Sequence, residues 1–307
     1  MDKEVSNVIT KLRVICTVII VFYHAVCPYG VWGIFSGTMG GGIFSSLDFT
    51  NLVFQRCLGN ITLPMFFCLS GMLFWGRRGY GVDSLSYFWK KFDRLIIPAA
   101  LVSLACSFFD IPVVGYASPK GHLWFVYVLF FYFSLALIFR KTRIHVYMLL
   151  SICMHISYVF LGKLEIEFSP IIFQILRYNL YFTCGYYLIQ YYTVLRKNYV
   201  RWPLFLSYLV FFWLNFQSVL FFLFNLLALA FIPQGKIVNR MIKSLNENSF
   251  GIYLIHHVLM IALLQEKFIY QSYEDYPLLA IPCMVLLILS ISWLLSFSLH
   301  KIKFSYF

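Results

Sequence analysis

The sequence predicts an all-α integral membrane protein: a single polytopic bundle of about ten transmembrane helices over residues 1–307, with no soluble domain. Three observations predict it. Hydrophobic residues make up 61% of the chain and charged residues 12%, with a mean hydropathy of +0.80; a soluble domain of this size cannot cover so much apolar surface. The apolar residues are gathered into runs long enough to cross a bilayer, which takes about 20 residues of helix. The Lys and Arg residues fall between alternate runs, as the positive-inside rule requires. Aromatic residues reach 21%, with 34 Phe and 22 Tyr, which predicts a densely packed bundle with aromatic belts at the interfaces.

Ten runs qualify, at residues 8–28, 51–75, 95–112, 122–140, 144–162, 170–191, 203–217, 218–233, 249–266 and 278–300. The first has no small-residue cleavage site and is expected to stay as a transmembrane helix. The seventh and eighth share one apolar stretch broken only around Asn215 and Gln217, so a single tilted helix there would give nine spans. Charge weighs against nine. With ten spans, Arg77, Arg78, Lys90, Lys91 and Arg94, then Arg140, Lys141 and Arg143, then Arg196, Lys197 and Arg201, then Lys236, Arg240 and Lys243, and finally Lys301 and Lys303 all face one side. Together with Lys3, Lys11 and Arg13 they are 19 of the 24 basic residues. The opposite side carries the acids Asp48, Asp110, Glu165, Glu167, Glu266, Glu274 and Asp275. Both termini are therefore expected in the cytoplasm, in a cytoplasmic (inner) membrane.

The net charge of +12 is explained by this topology signal, and nucleic acid is not expected as a partner. The eight cysteines are scattered through apolar runs without metal-binding spacing and read as small buried hydrophobes; a Cys27–Cys57 bond is the less favoured alternative. No carboxylate pair, P-loop, metal site or internal repeat is present. The Gly- and Ser-rich segment around residues 29–50 is a flexible connector or a cover over an entrance. Asn246, Glu247 and Asn248 precede the ninth span and read as helix-capping residues.

Two costly residues stand on the first apolar run, RVICTVIIVFYH. Arg13 and His24 are 11 residues apart, about three helical turns, so they share a face. Their axial separation is roughly 16 Å, about half the hydrocarbon thickness. An arginine near a helix end ordinarily snorkels to the surface. A histidine inside a span ordinarily faces a cavity or a partner. On one face they mark a path from the cytoplasmic surface to a buried point.

This arrangement resembles the membrane acyltransferase-3 family, whose bacterial members O-acylate surface polysaccharides. Four further segments match in order: LPMFFCLSGMLFW (63–75), KKFDRLIIP (90–98), GHLWFVYVLFF (121–131) and NSFGIYLIHHVLM (248–260). One departure stands out. The family's Arg-x-x-Arg is Lys91 and Arg94 here, and lysine neutralises a phosphate without arginine's bidentate fork.

The resemblance implies an enzyme that moves an acyl group, commonly acetyl, from cytoplasmic acyl-CoA to a hydroxyl of a cell-envelope glycan or lipid-linked sugar. Acetyl-CoA is then a co-substrate, with no bound cofactor and no metal. Lys91 and Arg94 are the donor-phosphate candidates, and Arg13 lines the entrance. His24 is the candidate general base, since a neutral imidazole can accept a proton; a transient acyl-histidine is the alternative. Ser70, Tyr253 and His256 are candidates for the oxyanion. Adjacent residues point about 100° apart, so at most one of His256 and His257 is expected to face the path. His122 and Trp124 are candidates for the acceptor sugar, Trp124 serving equally as an interfacial anchor. His155 lies mid-span without a role. The competing function is export of a polysaccharide or lipid-linked glycan without acyl transfer, for which a deep base aligned with a basic entrance has no use.

Overall fold

A computed structural model describes residues 2–28, 34, 60–76, 84–108, 123–139, 144–164, 169–214, 217–233 and 240–301. Among them there is no strand. In chain order the helices are α1 (Lys3–Val26), α2 (Asn60–Gly76), α3 (Ser84–Lys91), a π-helical turn (Phe92–Ile96), α4 (Ile97–Phe108), α5 (Trp124–Ile138), α6 (Ile144–Lys163), α7 (Pro170–Gln190), α8 (Tyr192–Leu195), α9 (Asn198–Trp213), α10 (Gln217–Phe231), α11 (Arg240–Leu264), α12 (Lys267–Asp275) and α13 (Pro277–Lys301). Among the described residues four stretches are long and apolar enough to cross a membrane: Lys3–Val26, Ile144–Lys163, Arg240–Leu264 and Pro277–Leu299. Thr62–Gly76, Trp124–Ile138 and Phe222–Phe231 are shorter apolar helices.

Each predicted run has its helix among the described residues, with bounds that differ. The first helix begins at Lys3 rather than residue 8, because the Asp2 carboxylate accepts the Glu4 N–H (3.2 Å) and caps the start. The seventh and eighth runs are two helices, α9 and α10. They fold back on each other: Trp202 and Phe205 near the start of α9 meet Phe231 at the end of α10, while Tyr208 meets Phe224. The ninth helix begins at Arg240, nine residues before the predicted start. Asn246, Glu247 and Asn248 therefore do not cap it but lie inside it. The helix continues through this polar stretch because its side chains find partners: Asn248 Nδ2 donates to the Ser244 carbonyl, and Ser249 Oγ to the Asn246 carbonyl, each at 2.8 Å.

The chain forms two compact units, each described by itself. The first comprises Met1–Leu12, Leu63–Ile96 and Trp124–Val238. Within it α2 and α7 cross backbone to backbone at two glycines. A Cβ on Gly71 would fall on the Phe182 carbonyl, and one on Gly185 would lie 2.7 Å from the Cys68 carbonyl oxygen. Small residues permit such close approach between membrane helices. So the SG of the second run serves helix packing at its glycine. The helices α6 and α7 are pinned by a buried polar chain: Tyr147 Oη donates to Asn179 Oδ1 (2.8 Å), Asn179 Nδ2 to Ser151 Oγ (3.0 Å), and Ser151 meets Thr183 (2.7 Å). Arg196 Nη1 donates to the Ile232 carbonyl at the end of α10 (3.0 Å), a basic side chain capping a helix C-terminus.

The second unit comprises Arg13–Thr62, Ile97–Leu123 and Asn239–Phe307. Within it α11 packs tightly on α13. A Cβ on Gly251 would meet the Ser296 side chain, whose Cβ would be 2.7 Å away. Ser296 Oγ donates to Asn248 Oδ1 (2.9 Å), and Trp293 Nε1 donates to Ser244 Oγ (2.9 Å). These bonds tie Ser244 and Asn248 in the polar first half of α11 to α13 and set its rotation, which decides where His256 and His257 point. The short α12 is tied to the end of α1 by the Tyr273 hydroxyl, which donates to the Ala25 carbonyl (3.2 Å).

Candidate active site

The second unit holds Arg13, His24, Tyr253 and His256, and brings them together from two helices. His24, two residues from the end of α1, is half-buried. Its ring centre lies 5.1 Å from that of His256 and 5.0 Å from that of His257, the latter edge-on at 83°. The His256 and His257 rings are 6.4 Å apart, and both residues are buried. Tyr253, one turn earlier on α11, has its ring centre 5.7 Å from that of His256. The expectation that only one of the adjacent histidines faces His24 is therefore corrected. Although their Cβ directions diverge by about 100°, imidazole is long enough for two rings to converge on a third placed between them.

Eleven residues below His24, Arg13 Nη2 donates to Ser249 Oγ (2.8 Å), and Ser249 Oγ in turn donates to the Asn246 carbonyl (2.8 Å). The Arg13 carbonyl accepts from Thr17 Oγ1 (2.8 Å). Arg13 to His24 rises about 16 Å and Ser249 to His257 about 12 Å. The difference, roughly 4 Å, is within the reach of an extended arginine side chain. So α1 and α11 each present a polar group near the start and an imidazole further along, and the two ends meet in register. Spacing carries this signal on both helices: Ser249 and His256 are seven residues apart, two turns, and share a face. Sequence reading recognised it on α1 and missed it on α11, where Ser249 was left without a role and His256 was favoured over its neighbour His257.

The hydrogen bonding fixes one tautomer. His256 Nδ1 lies 3.1 Å from the Ile252 carbonyl. A carbonyl only accepts, so this nitrogen carries the proton and Nε2 of the neutral ring is an acceptor. In that form His256 takes a hydrogen bond or a proton at Nε2 and donates to an oxyanion only once protonated there. Tyr253 Oη and the His257 ring are the neutral donors nearby.

The remaining candidates belong to the first unit. Ser70 is half-buried on α2, one residue before Gly71. Lys91 ends α3, and its Nζ lies 4.0 Å from the centre of the Phe133 ring and 5.4 Å from that of Tyr87. Arg94 is exposed within the π-helical turn Phe92–Ile96. Such turns arise where the i→i−4 ladder is disturbed, and Pro98 just beyond supplies the disturbance, having no N–H for the Arg94 carbonyl. Trp124 opens α5, half-exposed, stacked on Tyr178 at 5.9 Å and 22°. His122 and Cys57 lie outside the described residues, as does nearly all of the segment 29–50. His155 has a structural place: its Nδ1 meets the Arg177 carbonyl at 3.0 Å. Among the described residues no group of three His, Cys, Asp or Glu is arranged to hold a metal ion.

Compared with protein families, the chain matches the acyltransferase-3 profile, described as an acyltransferase domain, over residues 9–297. No curated protein and no solved structure matches it.

Proposed function

Since the chain belongs to the membrane acyltransferase-3 family, we propose that it moves an acyl group, acetyl foremost, from cytoplasmic acyl-CoA to a hydroxyl of a cell-envelope glycan or lipid-linked sugar. The observation that carries this reading is the His24 imidazole flanked by His256 and His257 at 5.1 and 5.0 Å, on the helix whose Arg13 is bonded to Ser249. A bundle that only exports needs no such group.

In this reading ten helices cross the inner membrane with both termini in the cytoplasm. The antiparallel α9 and α10 support an even count, since they bring Phe231 at the end of α10 back to Trp202 near the start of α9. The basic residues Lys91 and Arg94 hold the nucleotide phosphates of the donor, and the narrow pantetheine arm passes Arg13 toward His24. Neutral His24 takes the proton of the acceptor hydroxyl as its oxygen attacks the thioester carbonyl. The C–O bond forms, the C–S bond breaks, and the proton passes to the departing thiolate. The Tyr253 hydroxyl or the His257 ring stabilises the oxyanion between these events. An acyl-His24 intermediate uses the same groups in two displacements.

The test is His24→Ala in membranes supplied with labelled acetyl-CoA and candidate glycans. Loss of transfer at unchanged protein level is expected, by a factor of about 10²–10⁴. Full transfer by the variant would remove His24 from the mechanism.

A further inference from the structure

His24 stands in the last turn of α1, and helix ends are where frayed states come at least cost. The carbonyls of a last turn have no partner within the helix, and Pro28 has no N–H to offer that of His24. The Tyr23 and His24 carbonyls share one donor instead, the Cys27 N–H, at 3.1 and 3.2 Å. Ala25, Val26 and Cys27 are buried, so protein groups rather than bulk water must serve this turn. The Ala25 carbonyl takes a hydrogen bond from the Tyr273 hydroxyl on α12 (3.2 Å), and the Tyr273 side chain is itself buried.

The origin of α12 gives this bond its consequence. It begins at Lys267, three residues after α11 ends at Leu264. The turn between them is closed by the Gln265 and Glu266 N–H groups, which donate to the Ala262 and Leu263 carbonyls (3.2 and 3.1 Å). Tyr273 is thus carried on the continuation of the helix that bears His256 and His257. The pair α1 and α11 is bound on both sides of the histidines: Arg13 to Ser249 eleven residues before His24, and Tyr273 to Ala25 one residue after it. Between these two bonds the His24 ring meets both imidazoles, at 5.1 and 5.0 Å. His256 and His257 lie seven or more residues from the end of α11, inside its hydrogen-bonded ladder. His24 is the member of the trio whose backbone can fray.

We propose that Tyr273 is a positioning residue for the acyl-transfer centre: its bond to the Ala25 carbonyl keeps the last turn of α1 helical and so holds the His24 ring between those of His256 and His257. Without the hydroxyl a buried carbonyl loses a donor, and the turn gains by unwinding to find another. His24 then moves away from its two neighbours, while Arg13, three turns below, stays on Ser249. The loss is one of alignment at the reacting centre, which lowers turnover and leaves donor binding at the entrance intact. The assignment rests on the acyl-transfer reading for its effect on turnover, but not for its effect on where the His24 ring lies.

The experiment takes two readouts on the full-length protein in lipid bilayers. One is the rate of label transfer from acetyl-CoA to the endogenous glycan of native membranes. The other is the solid-state NMR cross-peak between the isotope-labelled rings of His24 and His257. Tyr273→Phe is expected to lower kcat about 10- to 10²-fold, to leave the KM for acetyl-CoA within about twofold, and to weaken the cross-peak about twofold or more. Tyr273→4-aminophenylalanine keeps a donor and restores both. Should Tyr273→Phe not fold, Tyr273→4-fluorophenylalanine fills the same volume without a donor and carries the comparison. An unchanged cross-peak in the variants without a donor, or no recovery with the amino group, overturns the proposal. So does an unchanged kcat in those variants where His24→Ala loses transfer. Full transfer in His24→Ala, with a cross-peak that still depends on the donor at position 273, would sink the catalytic reading alone.

Discussion

The ring of His24 lies edge-on to that of His257, 5.0 Å between centres, although His257 is the neighbour that the helical wheel turns away. The contact exists because α11 is rotated by its bonds to α13, at Ser244 with Trp293 and Asn248 with Ser296, so that His24 falls between the two adjacent rings.

This places His257 beside the reacting centre in the proposed mechanism. His257→Gln is expected to lower kcat by about 10²-fold while leaving the KM for acetyl-CoA within about twofold. Steady-state kinetics on purified protein decides it. An unchanged kcat would assign the ring to packing.

The Arg13–Ser249 bond is a charge-assisted one, of about 1.5–3 kcal/mol. Ser249→Ala is expected to reduce kcat/KM for acetyl-CoA by about tenfold, less than Arg13→Ala does. Ser249→Thr keeps a hydroxyl and should retain most activity. Equal losses in the Ala and Thr variants would mean that space, not the hydrogen bond, matters at this position.

Lys91 and Arg94 are tested together. Lys91→Ala with Arg94→Ala is expected to raise the apparent KM for acetyl-CoA about tenfold or more with little change in kcat, since lost phosphate contacts weaken binding uniformly. Because Lys91 also lies against Phe133, Arg94→Ala alone is the cleaner variant for folding, and its KM should rise too. Donor binding lies elsewhere if neither KM moves.

Two glycines separate packing from propensity. Gly71→Ala would drive a methyl group onto the Phe182 carbonyl, so a loss of about 1–3 kcal/mol is expected. Gly162→Ala has no neighbour within 4 Å and should gain about 0.5–1 kcal/mol. Thermal melting in one detergent compares them. A Gly71→Ala protein as stable as the parent would show that α2 and α7 can part at no cost.

Much of this protein is legible without coordinates. Each apolar run became a helix because a backbone without water must bond within its own segment. The face shared by Arg13 and His24 followed from helical geometry alone, as it depends on one segment. The four family segments also carried the membership that the whole-chain match bears out. Less was legible where two segments meet. The Asn246–Asn248 stretch reads as a helix start because polar residues favour caps, and only the partners Trp293 and Ser296, about fifty residues away, keep it helical. The roles of Ser249 and His257 likewise depend on the rotation of α11 against its neighbours. Gly71 reads as part of a catalytic-looking SG, and only the closeness of the Phe182 backbone shows that its missing side chain is what the fold needs. Sequence by itself determined the helices, their apolar lengths and the periodic faces they present. Tertiary structure decided which of those faces meet, because rotation about a helix axis is set by side chains on other helices, and no period within a single segment encodes it.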